Sequence, residues 1–393
     1  MKLLSKKALL GTTFCAALAV AGLSSSSLKA DDSAVLKDHR IGYVASSEHW
    51  AIYQTDKVNQ DCPQGLNTYG PRETFKELYP NGGAIESTQL TREALRAFPT
   101  DHKNFFPYIT YKGKIAVGLN LDGKAGPDDY TGPSADSLPK GADGKPKDLN
   151  LSITYQLVDG QKGIDNNLQK VIGCSSHFRA PEGQIQLFGN KFVSSMAFNH
   201  MMIELTNVDN LVDADNVDVT IYRGRDHLLL DATGESYAPG GTQRIDVRYA
   251  KPLIQHLHGQ IKNGVLTTEP VKEAYWGWDI YGGTPGLLDI KDMRLRMKVS
   301  PTGANGLMAG YTTVDSWYHW LTAWSTHHLS YGQLDPHEFY WALRDNADAY
   351  PDKDGRNMAI SSALRLDMTQ VYIIHPDEKV ADGGGRSASA SAR

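Results

Sequence analysis

Alternation of apolar and polar residues with a period of two, repeated in five segments after residue 148, most narrows what this chain can fold into. Leu149, Leu151, Ile153, Tyr155 and Leu157 alternate with Asn150, Ser152, Thr154 and Gln156. Met201, Ile203 and Leu205 do so with His200, Met202 and Glu204, and Val217, Val219 and Ile221 with Asp218, Thr220 and Tyr222. Ile245, Val247 and Tyr249 alternate with Arg244, Asp246 and Arg248, and Met293, Leu295, Met297 and Val299 with Arg294, Arg296 and Lys298. Side chains on a strand point to opposite faces in turn, so each segment reads as a half-buried antiparallel strand. Sheets with one wet face bury the other by stacking, which predicts a mainly β fold, an antiparallel β-sandwich or jelly roll.

Two helices are expected before the last strand. Val314, Trp317, Leu321 and Trp324 fall on one helical face. Asp335, Pro336 and Glu338 supply an N-cap, a first-turn proline and a capping-box carboxylate for a second helix carrying Phe339, Leu343 and Ala347. A closing strand follows over 363–374. Nearer the N-terminus, Ile41 to Val44 is a short strand candidate, and 73–79 and 91–98 are short helix candidates. The expected divisions are a signal peptide over 1–30, a mixed α/β segment over 31–118 and a Gly/Pro/Asp-rich loop over 119–148. The sandwich takes 149–300, the two helices and closing strand of the same domain take 301–380, and 381–393 is a disordered tail.

The first thirty residues carry an export pattern. Lys2, Lys6 and Lys7 precede an apolar stretch from Ala8 to Leu23, and small residues lead to Ala30 and an acidic Asp31-Asp32. The apolar stretch is shorter than the roughly 20 residues that a span requires, so cleavage near Ala30 is expected. Phe14 before Cys15 argues against lipid attachment there. The chain as a whole carries a formal charge of −5, and cleavage removes four of its lysines. An acidic protein without a basic run is a poor match for nucleic acid or an anionic membrane, and no later segment is long and apolar enough to span. A periplasmic or extracellular location follows. Cys62 and Cys174 are the cysteines left, and in an oxidising compartment a lone pair is expected to be a disulfide.

Several clusters invite chemistry. Asn120, Asp122, Asp128 and Asp129 crowd a glycine-rich loop, with Asp165 in a similar turn, and calcium favours such oxygen-rich loops. The competing account is that Asn, Asp and Gly simply make turns. The acidic runs at 209–218 and 352–357 lack the bidentate glutamate of an EF-hand loop and read as turns. His256 and His258 stand two apart, so on a strand they share a face, as a transition-metal pair requires. Trp276 and Trp278 likewise share one face and offer a platform for a sugar ring, while Trp317, Trp320 and Trp324 have helix-core spacing. Glu269 and Glu273, with Glu235, are carboxylates available for acid–base work, whose geometry lies in space rather than in spacing. The sequence contains no G-x-S-x-G, H-E-x-x-H, P-loop, G-x-G-x-x-G or haem-attachment motif.

The expectation is therefore an exported, non-catalytic binding or structural protein with a carbohydrate or protein ligand and a calcium-stabilised loop. The alternative is a metal-dependent or two-carboxylate enzyme acting on an extracellular substrate such as a polysaccharide.

Overall fold

The computed structural model describes residues 36–55, 57–67, 109–134, 154–179, 200–234, 236–247, 254–278, 286–320 and 336–376. The signal pattern, both early helix candidates, Leu149 to Ile153 and the C-terminal tail lie outside them.

The strands are β1 (Ile41–Trp50), β2 (Tyr130–Thr131), β3 (Lys162–Ile164), β4 (His200–Thr206), β5 (Ala214–Gly224) and β6 (Gly241–Arg244). They continue with β7 (Gln255–Lys262), β8 (Val265–Thr268), β9 (Val271–Trp278), β10 (Gly286–Val299), β11 (Gly303–Thr313), β12 (Ala349–Pro351) and β13 (Asn357–Ile374). The helices are α1 (Val58–Asp61), α2 (Leu168–Ile172), α3 over 314–320 and α4 (Pro336–Asn346).

One antiparallel path runs β1-β4-β5-β7-β8-β10-β11-β13, and β13 pairs back onto β1. The register of that closing pair runs from Gly42 opposite Val371 to Trp50 opposite Leu364. The sheet is therefore a closed barrel of eight strands, taken in chain order, rather than two stacked layers. The predicted sandwich is corrected on this point. A strand with one wet face alternates in the same way whether its sheet stacks or closes, so only the pairing of first and last strands separates the two. Closure also leaves no free edge in the eight-stranded path. β9 extends along β10, while β12 and the parallel strand β6 flank β13.

Eight strands leave an interior just wide enough for side chains to fill. Met201, Ile203 and Leu205 of β4, Val217, Val219 and Ile221 of β5, and Leu295 and Met297 of β10 pack there with Leu364, Leu366 and Met368. Among the inward polar groups, the Thr312 and Ser362 hydroxyls pair at 2.7 Å, and the Leu295 N–H donates to Thr268 Oγ1 at 2.9 Å. The outward side is polar on β7, whose burial alternates strictly with His256, His258, Gln260 and Lys262 exposed. Apolar-in and polar-out is the reverse of a lipid-facing barrel. Among the described residues no helix is long and apolar enough to cross a membrane.

Aromatic residues seal the end where β1 finishes. The Trp50 ring lies 4.5 Å from Trp317 of α3 and 5.7 Å from Trp276 of β9, centroid to centroid. Phe339 of α4 meets Trp317 at 5.9 Å and Phe178 at 6.0 Å. Such pairs add about 0.5–1.5 kcal/mol each beyond the area that they bury. Both expected C-terminal helices are thus present, and the closing strand begins at Asn357, earlier than the periodicity suggested.

A lobe built from 51–67, 109–134 and 154–179 packs on the outward faces of β11 and β13, burying Leu307, Ala309, Tyr311, Ala359 and Ala363 in a second core. It replaces part of the predicted sandwich: Thr154, Tyr155 and Gln156 form a helical turn, not a strand, because Tyr155 and Leu157 are buried in the core of the lobe. The loop region from 119 contributes the short strand β2, paired with β3. Cys62 and Cys174 form a disulfide with Cα atoms 5.7 Å apart, joining positions 112 residues apart. In the chain-entropy account a loop of that length is worth about 4–5 kcal/mol. Beside it the buried Arg179 donates to Asp61 Oδ2 at 2.7 Å and to the Gly173 carbonyl at 2.8 Å, so the charge is both paired and hydrogen-bonded. Gln169 mimics a strand partner, accepting from the Tyr53 N–H at 2.9 Å and donating to its carbonyl at 3.0 Å.

Candidate functional site

The lobe holds a cleft of about 240 Å3 lined by residues 110–114, Asp128, Tyr130, Lys170 and Asn346. Its walls are fixed by backbone pairing. The Tyr111 N–H donates to the Lys170 carbonyl at 2.9 Å, tying the 110–114 segment to α2. The Thr131 N–H donates to the Lys114 carbonyl at 2.9 Å, tying the same segment to β2. Asn167 Nδ2 donates to the Asn346 carbonyl at 3.2 Å, bringing up the end of α4.

Lys170 is the most unusual group. It is half-buried, and among the described residues no carboxylate lies within ion-pair distance of its ammonium group, which stands 5.9 Å from the Tyr130 ring centroid. Burial pulls its pKa below the ordinary lysine range, with Asp348 and Asp128 opposing that shift and Lys114 adding to it. Tyr130 is 3 % exposed and its hydroxyl, buried, makes no hydrogen bond. Burial pushes that hydroxyl well above the usual tyrosine pKa, aided by Tyr111 and Asp348, so it remains a protonated donor. Three lysines against Asp128 give the cleft a positive lining on an acidic protein. A half-buried ammonium group standing near the Tyr130 ring without a carboxylate partner can hold an oxyanion.

Neither Lys170 nor Tyr130 stands out in the sequence. Lys112 and Lys114 form a Lys-Gly-Lys run next to Tyr111, but only the fold brings α2 and β2 against it.

The residues singled out from sequence fall elsewhere, with one exception. Asp128 lines the cleft. Asn120 accepts from the Gly123 N–H and donates to the Lys124 carbonyl, both at 2.6 Å, while Asp122 accepts from the Lys124 N–H at 2.8 Å. Asp129 accepts from the Gly126 N–H. Asp165 accepts from the Leu121 N–H at 2.6 Å, and burial lifts its pKa to about 6, with Asp122 and Asp129 adding to the rise. These carboxylates are thus engaged by the local backbone. Among the described residues no group of three or more His, Cys, Asp or Glu side chains stands where it could hold a metal.

His256 and His258 share the outward face of β7 as their spacing implied; His258 Nδ1 lies 3.1 Å from Asp218 Oδ1 and His256 Nδ1 lies 3.3 Å from Thr220 Oγ1. Glu273 pairs with Lys291 at 3.0 Å, and the Glu269 N–H donates to the His258 carbonyl at 2.8 Å. Trp276 is 3 % exposed and turned into the core against Trp50, so it offers no surface platform; Trp278 ends β9 opposite Gly286. The acidic run at 209–218 is tied up locally, Asn210 Oδ1 accepting from the Val212 and Asp213 N–H groups at 2.9 and 2.8 Å and Asp218 pairing with His258. Asp352 likewise accepts from Asp354 and Arg356. No family model, curated protein or solved structure matches the chain.

Proposed function

We propose that the protein is an exported, non-catalytic binding protein in which the barrel is a rigid scaffold and the disulfide-closed lobe carries the ligand cleft. Lys170 carries the reading: a half-buried ammonium group without a carboxylate partner among the described residues, 5.9 Å from the ring of Tyr130, whose buried hydroxyl is unbonded. Leaving such groups unmatched costs stability, about 1–3 kcal/mol for a buried donor, a cost that a bound ligand removes. Export rests on the N-terminal pattern and fits the disulfide. Small-molecule screening by thermal shift, on unreduced protein, tests the reading. A ligand that raises the melting temperature of the native chain and not that of Tyr130→Phe or Lys170→Gln supports it. A shift of the same size in all three places the ligand elsewhere and overturns it.

Calcium at the acidic loop is kept as a second reading, since Asp122 and Asp129 lie near enough to Asp165 to raise its pKa, short of forming a ready set of metal ligands among the described residues. Elemental analysis of protein purified without chelator, with melting in EDTA, tests it: stoichiometric calcium and a lowered melting temperature support it, and metal-free protein with an unchanged melt removes it.

A further inference from the structure

We propose that the lobe cleft takes a small, hydroxyl-bearing monocarboxylate the size of one acidic sugar, with its carboxylate held by the Lys170 and Lys114 ammonium groups and the Tyr130 hydroxyl. The inference rests on the binding reading above and names the class of ligand.

Size limits the ligand first. The cleft, at about 240 Å3, is smaller than the roughly 300–1,000 Å3 that drug-sized molecules occupy, so a single ring or short acid fits and an oligosaccharide does not. Charge limits it next. Lys112, Lys114 and Lys170 outnumber Asp128, which selects an anion. Asp128 on the same wall opposes a second negative charge, which favours a carboxylate over a phosphate dianion. The donors are amines and a phenol rather than the planar fork of an arginine, and so suit oxygens that present no fixed bidentate geometry. Asp128 accepts hydrogen bonds, and with Thr110 it gives the hydroxyl groups of the ligand partners in the lining.

Each group also has a reason to be unspent. Among the described residues Lys114 Nζ reaches only the Pro127 carbonyl, at 3.4 Å. Tyr130 is held by β2 pairing against β3, with Tyr130 opposite Ile164, and its side chain is buried with its hydroxyl unbonded.

Isothermal titration of the full mature chain, unreduced and at low salt, with glucuronate, glucose and inorganic phosphate tests the assignment. Glucuronate is expected to bind at least tenfold more tightly than glucose. Lys170→Gln and Lys114→Gln should each lose about tenfold or more, as removal of one charge-assisted hydrogen bond implies. Lys170→Arg should retain part of the affinity, and Lys298→Gln, an exposed lysine on β10, all of it. Circular dichroism and the unreduced melt show whether each variant is folded, and Tyr130→Phe gives a second, charge-neutral probe of the same cleft. Glucose binding as tightly as glucuronate, with loss in Tyr130→Phe, would keep the binding site and overturn the anionic class. Phosphate binding more tightly than glucuronate would overturn the carboxylate. No binding of glucuronate at millimolar concentration would overturn the inference, while a neutral ligand from the screen that loses its effect in Tyr130→Phe would leave the binding reading standing.

Discussion

Asp165 shows how a single side chain is read differently in sequence and in structure. Sequence presents it as a metal-ligand candidate; the fold makes it a half-buried acceptor for the Leu121 and Asp122 N–H groups. Its folded pKa of about 6 lies above the ordinary aspartate value of 3.8. The native state therefore holds the proton more tightly than the unfolded chain. The associated stability is fully present below the unfolded value and is lost as pH rises through about 6. Asp165→Asn keeps an acceptor oxygen and removes the charge, so it should melt above the native chain at pH 7.5, with the gap closing towards pH 4.5. Equal melting differences at both pH values would contradict this account. Under the calcium reading, added calcium should raise the melt of the native chain at pH 7.5 and leave Asp165→Asn unmoved. The cleft residues were illegible for a related reason. Lys114, Tyr130 and Lys170 lie far apart in sequence, and nothing in their immediate neighbours signals that burial will strand an ammonium group and a hydroxyl together.

Elements were legible where apolar and polar residues alternate. Met201 to Leu205, Val217 to Ile221 and Met293 to Val299 are strands as their alternation requires. β11, Gly-Ala-Asn-Gly-Leu-Met-Ala-Gly-Tyr-Thr-Thr, shows no alternation because the barrel interior covers one face and the lobe the other, so nearly every residue is buried. Only the first four residues of β1 were read as a strand, since both faces are buried there and a register shift between Ala45 and Ser47 breaks the period. Glycine in β11 marks close approach. A Cβ on Gly310 would lie 2.6 Å from Ile290 Cγ2 and 2.7 Å from the Lys291 carbonyl oxygen, where β10 shifts register between Lys291 and Arg294. Gly310→Ala should therefore cost about 1–3 kcal/mol, read as a lowered urea midpoint with the slope unchanged. An unchanged midpoint would mean that β10 moves freely there.

For the molecule as a whole, the mainly β class, the disulfide and the C-terminal helices could be read from sequence, and closure could not. Closure depends on β1 reaching β13 across almost the full described length, a pairing that no local pattern encodes. It also sets the division of labour. The barrel interior is filled with side chains, so the ligand site is assigned to the lobe, which the disulfide and the Asp61–Arg179 pair hold in shape. The most direct test of that assignment is residue-resolved NMR of 15N-labelled mature protein, titrated with the small molecule that most raises its melting temperature. The account predicts saturable shifts in the amide signals of Tyr111, Lys114, Tyr130 and Lys170, with His256, His258 and Lys298 on the outer barrel wall unmoved. Saturable shifts confined to the barrel strands, with the lobe silent, would contradict it.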